Sequence, residues 1–426
     1  MKTPILPVKG TRDFYPEDMA IRTWLYRTVR KVSESFGYQE YEGPFLESID
    51  LYAAKSGDEL VNQQSYVFPD RDGNLITLRP ELTPSVARMV AKRQRQLVYP
   101  LRWWSFGPCW RYERPQKGRS REFFQWNVDL IGVASPEADA EIVAIVASLF
   151  NEVGLNPQQV NIHINDRRLV EAELTALGVQ NADLPAIFRL IDRRDKMQET
   201  EWDAYALETG ITAPTLKGLK SLMANEELWK KSEQLIRFFN AMQALGLSRW
   251  VVYDPGIIRG LDYYTGIVFE AQEAMGDIRR AVLGGGRYDN LMADVGGDPL
   301  PAAGFAMGDM VITLILQKHD LLPIDLSLYP AEILVTVFDE ASQPASLALA
   351  GELRQAGLKV DCYPEAAKLG KQFKYADRTG IRLAVILGSD EINKNVVSIK
   401  DLTTGDQQTV NRQDALLAIR KMLATE

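Results

Sequence analysis

With 426 residues, 46% of them hydrophobic and 25% charged, the chain has the composition of a globular protein and is long enough for two or three domains. A net charge of −8 argues against indiscriminate nucleic-acid binding through a basic surface, though not against a local basic face. No apolar run approaches the roughly 20 residues that cross a bilayer, the N-terminus has no signal-peptide core, and Cys109 and Cys362 are too far apart for a metal knuckle, so the expectation is a cytoplasmic protein with buried free thiols.

Ile21, Leu25, Val29, Val32 and Phe36 recur at helical spacing and predict an amphipathic helix, with Pro16 just before its start and Gly37 as its left-handed stop. Residues 38–43 then alternate like a strand that ends on Pro44. A hairpin is expected within 61–80, because Tyr66-Val67-Phe68 and Leu75-Ile76-Thr77-Leu78 flank a turn containing Asp72-Gly73. Thr83 followed by Pro84 reads as a helix N-cap with proline at the first helical position, which sets Glu81 on the approach to a helix N-terminus. Strand-like runs at 101–110 and 123–131 are joined by a loop in which Arg111, Arg114, Lys117, Arg119 and Arg121 face only Glu113. Such a cluster is ordinarily a solvated loop. Pro115, Gly118 and the direct run into Glu122-Phe123-Phe124-Gln125 point instead to a functional hairpin loop.

A helix at 136–153 and a strand at 159–164 lead into a helical, charge-mixed interval over 167–248, with apolar sets such as Phe188 with Ile191 and Leu219 with Leu222. Strands resume at Trp250-Val251-Val252-Tyr253, from Thr265 to Ala271 and at Ala281-Val282-Leu283. Three glycines, Gly284 to Gly286, follow before Arg287-Tyr288-Asp289. They mark either a flexible turn or a close approach of backbone to a ligand. Leu322-Pro323-Ile324-Asp325 reads as a linker. Beyond it, strands at 333–337, 359–362 and 383–387 alternate with helices, which predicts a small α/β domain with a mixed sheet. There is no internal repeat.

The most informative stretch is Arg259-Gly260-Leu261-Asp262-Tyr263-Tyr264-Thr265-Gly266, read together with Arg111-Tyr112-Glu113. Two arginines from distant segments, each a fixed charge with a planar fork of donors, suit a site that clamps an anion and stabilises charge developing on it. These motifs resemble those of histidyl-tRNA synthetases, which are class II aminoacyl-tRNA synthetases, and the likeness runs from about residue 8 to the C-terminus. The resemblance implies an α/β (α+β) fold. An antiparallel sheet flanked by helices forms a catalytic domain over 1–325, with a helical insertion at 167–248, and an anticodon-binding α/β domain covers 326–426. It further implies ATP-dependent ligation of L-histidine to tRNA(His) through a histidyl-adenylate, with Mg2+ accompanying ATP. The helix and the strand closing on Pro44 are similar to the family's dimer motif, so a homodimer is expected.

The same resemblance distributes roles among the residues. Arg111 would grip the α-phosphate and the substrate carboxylate, and Arg259 would face it as the second catalytic arginine. Phe123 would stack on adenine, Glu113 would face the base, and Arg119 would contribute to ATP binding. Glu81 would hold the α-ammonium of histidine, assisted by Thr83 and Gln125. Asp129 and Tyr264 would bracket the imidazole, with Tyr263 lining the pocket. A neutral imidazole offers one donor and one acceptor, which a carboxylate and a hydroxyl can satisfy. Arg114, Gln116 and Lys117 would meet the acceptor end of tRNA. No side-chain nucleophile is needed, and the only two histidines, His163 and His319, lie outside these motifs and read as structural.

One departure stands out. Class II enzymes follow the glycine of their third motif with an apolar residue, glutamate and an arginine that holds the far phosphates of ATP. Here Gly304-Phe305-Ala306-Met307-Gly308 is followed by Asp309-Met310-Val311. Two readings remain open: a changed phosphate clamp using Arg119, Arg121 or Arg287, or a catalytically inactive paralogue acting as a histidine-sensing regulatory subunit or tRNA-binding module.

Overall fold

The computed structural model describes residues 5–53, 63–194, 197–259, 263–276, 278, 280–323, 326 and 329–424. Gly260, Leu261 and Asp262 of the most informative stretch, Ile324 and Asp325 of the expected linker, and the first residues of the interval 61–80 lie outside them. The chain forms two compact units, one of residues 1–14 with 21–322 and one of residues 15–20 with 323–426.

The first unit is built on an eight-stranded sheet. Its strands are β1 (Gln39–Glu40), β5 (Leu101–Trp110), β6 (Glu122–Ile131), β7 (Val160–Asp166), β8 (Val251–Tyr253), β9 (Ile267–Glu273), β10 (Leu283–Arg287) and β11 (Ala302–Gly308), in the order β1-β5-β6-β11-β10-β9-β7-β8. The pairs β1–β5 and β7–β8 at its edges are parallel, and the five pairings between them are antiparallel. A separate three-stranded sheet holds β2 (Leu46–Ser48), β3 (Tyr66–Pro69) and β4 (Leu75–Leu78), and its β3–β4 hairpin turns at Asp70 to Gly73 as its turn chemistry predicted. Asp70 fixes that turn by accepting from the backbone of Asp72 and Asn74 at 2.9 and 2.8 Å.

The first helix, Pro16–Ser35, buries Leu25, Val29 and Val32, and Gly37 ends its run at φ +79°. Proline is the first helical residue rather than its forerunner, which its missing N–H permits. The helix Pro136–Glu152 is capped by Ser135, which accepts from Ala138 N, and is buried nearly all round, from Ile142 through Phe150. It packs with Trp126, Val128, Phe305 and Met307 in the main core. Period-two alternation then leaves the small residues Gly304, Ala306 and Gly308 of β11 to line a cavity. Between β7 and β8 run the helices Arg167–Ala176, Leu184–Arg193, Glu199–Glu208, Ala213–Met223 and Glu233–Ala244.

The second unit carries a five-stranded mixed sheet of β12 (Ile333–Val335), β13 (Val360–Cys362), β14 (Leu383–Ile386), β15 (Val396–Asp401) and β16 (Gln407–Asn411), in the order β13-β12-β14-β15-β16. Its first three strands are parallel and the last two run antiparallel. The helices Gln343–Gln355 and Ala415–Ala424 bury Leu349, Leu353 and Ile419 against it. Among the described residues no helix is long and apolar enough to cross a membrane. Both cysteines are free thiols, and burial pushes the Cys109 thiol up to about 11.

Candidate active site

Local structure departs from expectation at two places. Thr83 is not an N-cap: it is the first residue of the helix Thr83–Arg93, whose cap is Leu82 without a side-chain capping bond. The triple glycine is not a strand end either, since Gly284, Gly285 and Gly286 lie inside β10, paired with β9 and β11. The absent side chains make room for the chain itself. A Cβ on Gly284 would collide with the Arg259 guanidinium, and one on Gly286 would meet the Tyr264 ring at 2.9 Å.

Gly284 lines a cavity of about 700 Å³, within the usual range for small-molecule sites. Arg111 and Arg259 both line it, as do Glu81, Thr83, Gln125, Tyr263 and Tyr264, together with Glu113, Arg119 and Phe123. In it Tyr263 and Tyr264 pack at 4.9 Å between ring centroids, and the Tyr263 hydroxyl donates to Glu81 Oε2 at 3.3 Å. Burial, and then the charge of Glu81, raise the Tyr263 phenol well above its ordinary value, so it remains a donor. Gln125 is buried, with the Cys109 thiol 3.6 Å from its Oε1.

Asp129 is reached only through other side chains. It is not among the residues lining the cavity: it is 1% exposed, opposite Gly304, and accepts from the hydroxyls of Tyr288 and Tyr41. Burial pushes its carboxyl up to about 6, while the two phenol hydrogen bonds act in the opposite direction. Tyr288 is the residue that faces the cavity. No motif marks it, because only the pairing of β6 with β11 and of β11 with β10 brings it to Asp129.

Arg259 sits in the left-handed region at φ +59°, unusual for a residue with a side chain. Its Nη1 donates to Glu270, while among the described residues its buried Nε has no hydrogen-bond partner. Burial, the largest single influence, works against its charge, but Glu270, Tyr264 and Asp192 together raise its pKa. Arg111 lies 5.4 Å over the Phe123 ring and donates from Nε to Pro80 O at 2.9 Å, which leaves its terminal nitrogens directed elsewhere. Glu113 pairs with Arg119.

The basic loop between β5 and β6 closes on itself. Gln116 and Arg119 exchange backbone hydrogen bonds of 3.0 and 2.8 Å around Gly118 at φ +76°. Arg114, Gln116 and Lys117 are exposed on it and do not line the cavity. Arg121 turns away, stacked 4.0 Å over Tyr112 and donating to Glu113 O and Lys9 O. Arg287 is 1% exposed and bound to Asp139, Asp289, Val133 O and Ser135 O. Neither can reach a phosphate tail without breaking its own structure. Asp309, the residue that breaks the third motif, accepts from Phe124 N at 3.0 Å and pairs with Arg12 at 2.8 Å. His163 is held on both ring nitrogens by Asp254 and Asn161 and does not line the cavity.

The histidyl-tRNA synthetase family model matches residues 10–310, and an anticodon binding domain model matches residues 332–422. The chain belongs to the histidyl-tRNA synthetase family. It is 37% identical over 433 aligned positions to the histidine–tRNA ligase of Opitutus terrae, covering 98% of each chain. To the chloroplastic/mitochondrial histidine–tRNA ligase of Arabidopsis thaliana it is 38% identical over 423 positions, covering 97% of this chain and 86% of the relative. The crystal structure of histidyl-tRNA synthetase from Nostoc sp. PCC 7120 matches with a TM-score of 0.79 at 27% identity, over 99% of this chain and 100% of that one.

Proposed function

We infer that this chain ligates L-histidine to tRNA(His) in two steps within the cavity. In the first, the histidine carboxylate attacks the α-phosphorus of ATP; a carboxylate–phosphorus bond forms, the bond to the bridging oxygen breaks, and pyrophosphate leaves. In the second, a terminal ribose hydroxyl of the tRNA attacks the acyl carbon, an ester forms, and AMP leaves. Both reactants of the first step are anions, so the work of the protein is to hold them together and neutralise them. The observation that carries this reading is that Arg111 and Arg259, distant in sequence, line one cavity together with Tyr263, Tyr264 and Tyr288.

In this reading Arg111 and Arg259 flank the α-phosphate, Phe123 stacks on adenine with Glu113 toward the base, and Arg119 meets the phosphates. Glu81 takes the α-ammonium, with Thr83 and Gln125 beside it. Tyr264, Tyr263 and Tyr288 surround the imidazole, and Asp129 acts through the Tyr288 hydroxyl. A buried site of this kind rejects analogues that leave its polar groups unpaired. Arg114, Gln116 and Lys117, exposed on the loop, meet the acceptor end of tRNA, and residues 326–426 serve the anticodon.

Magnesium needs only one or two carboxylates alongside phosphate oxygens and water. The described residues hold no cluster of three metal-ligating side chains, but Glu270 and Glu113 offer hard oxygen donors on the cavity wall, and so they fit. When bound, the ion neutralises charge on the phosphates. Exposed Phe45, Leu46, Val67, Phe68 and Leu75 on or beside the three-stranded sheet support a homodimer built around residues 17–45. The free thiols suit a cytoplasmic setting.

Histidine-dependent exchange of pyrophosphate into ATP, followed by charging of tRNA(His), tests the reading. Histidine binding without exchange would favour the regulatory alternative, which no feature of the site supports.

A further inference from the structure

Counting from Gly308 of β11, Val311 stands where class II enzymes carry their phosphate-holding arginine, and it lines the cavity with Met310. Arg280, which enters none of the roles above, lies just before β10 and lines the same cavity beside Arg119 and Gly118. A Cβ placed on Gly118 would meet Val311 Cγ2 at 3.5 Å and Arg280 Cδ at 3.6 Å, so the two side chains converge at the tip of the β5–β6 loop. Among the described residues the Arg280 guanidinium makes no hydrogen bond or ion pair, whereas Arg119 is paired with Glu113 and Arg259 with Glu270. Partial burial, and then repulsion from Arg119, lower its pKa, with Glu113 offsetting them in part. Glu113 is paired with Arg119, whereas the Arg280 donors are unused among the described residues, so the two guanidiniums facing one cavity offer a seat for a further anion.

We propose that Arg280, with Arg119, binds the β- and γ-phosphates of ATP in place of the arginine that the third motif lacks. The inference rests on the adenylate-forming reading and names the group that holds the leaving pyrophosphate. Arg280 reaches from the strand side of the loop and Arg119 from the loop itself. The two can therefore clasp nonbridging oxygens from two directions, as a single helix-borne arginine would from one.

The test compares the affinities of ATP and AMP, because AMP lacks the phosphates in question. Calorimetry on wild type, Arg280→Ala and Arg280→Lys should show ATP binding weakened about tenfold in the alanine variant, AMP binding within about twofold of wild type, and partial recovery with lysine. The Michaelis constant for ATP in pyrophosphate exchange should rise in parallel, while that for histidine stays level. Equal losses for ATP and AMP, no loss for either, or a wild type that binds both equally would each overturn the proposal. A wild type that lacks histidine-dependent exchange would overturn the synthetase reading instead, and the ATP-to-AMP ratio would still decide the role of Arg280.

Discussion

At the start of β10 the Arg259 guanidinium lies against Gly284, paired with Glu270, open to the cavity and, among the described residues, with its Nε unpartnered. At the end of the same strand Arg287 gives its donors to two carboxylates and two backbone carbonyls, and it is sealed from solvent. Both are arginines packed against one sheet, and sequence marks both as candidates for gripping an anion. The difference lies in what remains of each after folding. A guanidinium whose donors are all used internally holds the fold together. One with donors left over beside a cavity is available to a ligand. The same contrast separates Arg121, engaged with Tyr112, Glu113 O and Lys9 O, from Arg280.

The sharpest way to break this contrast is Arg287→Ala. Removing one partner of a buried, hydrogen-bonded pair leaves Asp139 uncompensated, and the expected loss is about 3–5 kcal/mol of folding stability. Urea denaturation checks it; a variant of normal stability with impaired ATP kinetics would reverse the assignment. Arg259→Ala should behave in the opposite way. Folding and histidine affinity should stay near wild type, and the rate of adenylate formation should drop about 10²–10³-fold, since the charge is wanted as the transition state develops. Normal exchange rates in this variant would remove Arg259 from the mechanism.

Much of this architecture was legible in the sequence, and the reasons are local. The Asp-Gly turn, the helical spacing of Leu25, Val29 and Val32, and the long runs of β5 and β6 are signals carried within a few residues. The pairing of distant arginines in one cavity was readable through family motifs. Contacts between segments with no shared signal were not. Arg12 reaches Asp309 across most of the catalytic unit, and Arg79 is fully buried against Glu42, Gly43 O and Pro108 O. The triple glycine was read as room for a ligand or a flexible turn, and its absent side chains turn out to admit Arg259 and Tyr264. Thr83 misled because a threonine before proline is an N-cap only if the preceding residue stays out of the helix, and Leu82 already has helical angles.

Asp129 extends the contrast to a carboxylate, one that is buried and accepts from the Tyr288 hydroxyl. Its carboxyl lies at about 6 when folded, above its ordinary 3.8. Between those values the folded protein binds more protons than the unfolded chain, so this group's stabilising contribution is complete below pH 4 and is lost as pH rises through 6. Asp129→Asn should remove that loss. Relative to wild type, the variant should gain on the order of 1–3 kcal/mol between pH 4 and pH 7 in denaturation curves. Its histidine affinity should fall more than its ATP affinity. Equal losses of both ligands by calorimetry would point to a damaged fold rather than to the imidazole pocket.

The smallest expected effect is also the most discriminating, because it compares two arginines on one loop. Arg119 lines the cavity and Arg121 does not. Arg119→Ala should raise the Michaelis constant for ATP by about three- to tenfold, and no more, since its side chain is 45% exposed and already paired with Glu113. The effect should shrink as salt is added, as expected for a partly solvated contact with a polyanion. Arg121→Ala should leave ATP kinetics within about twofold and instead cost roughly 1–2 kcal/mol of stability, from lost stacking on Tyr112 and two lost bonds to backbone carbonyls. Steady-state kinetics at two ionic strengths and a thermal melt of each variant separate the two. If Arg121→Ala raised the constant for ATP as much as Arg119→Ala, donors left over after folding would not mark the functional arginines, and the loop would have to reorganise when nucleotide binds.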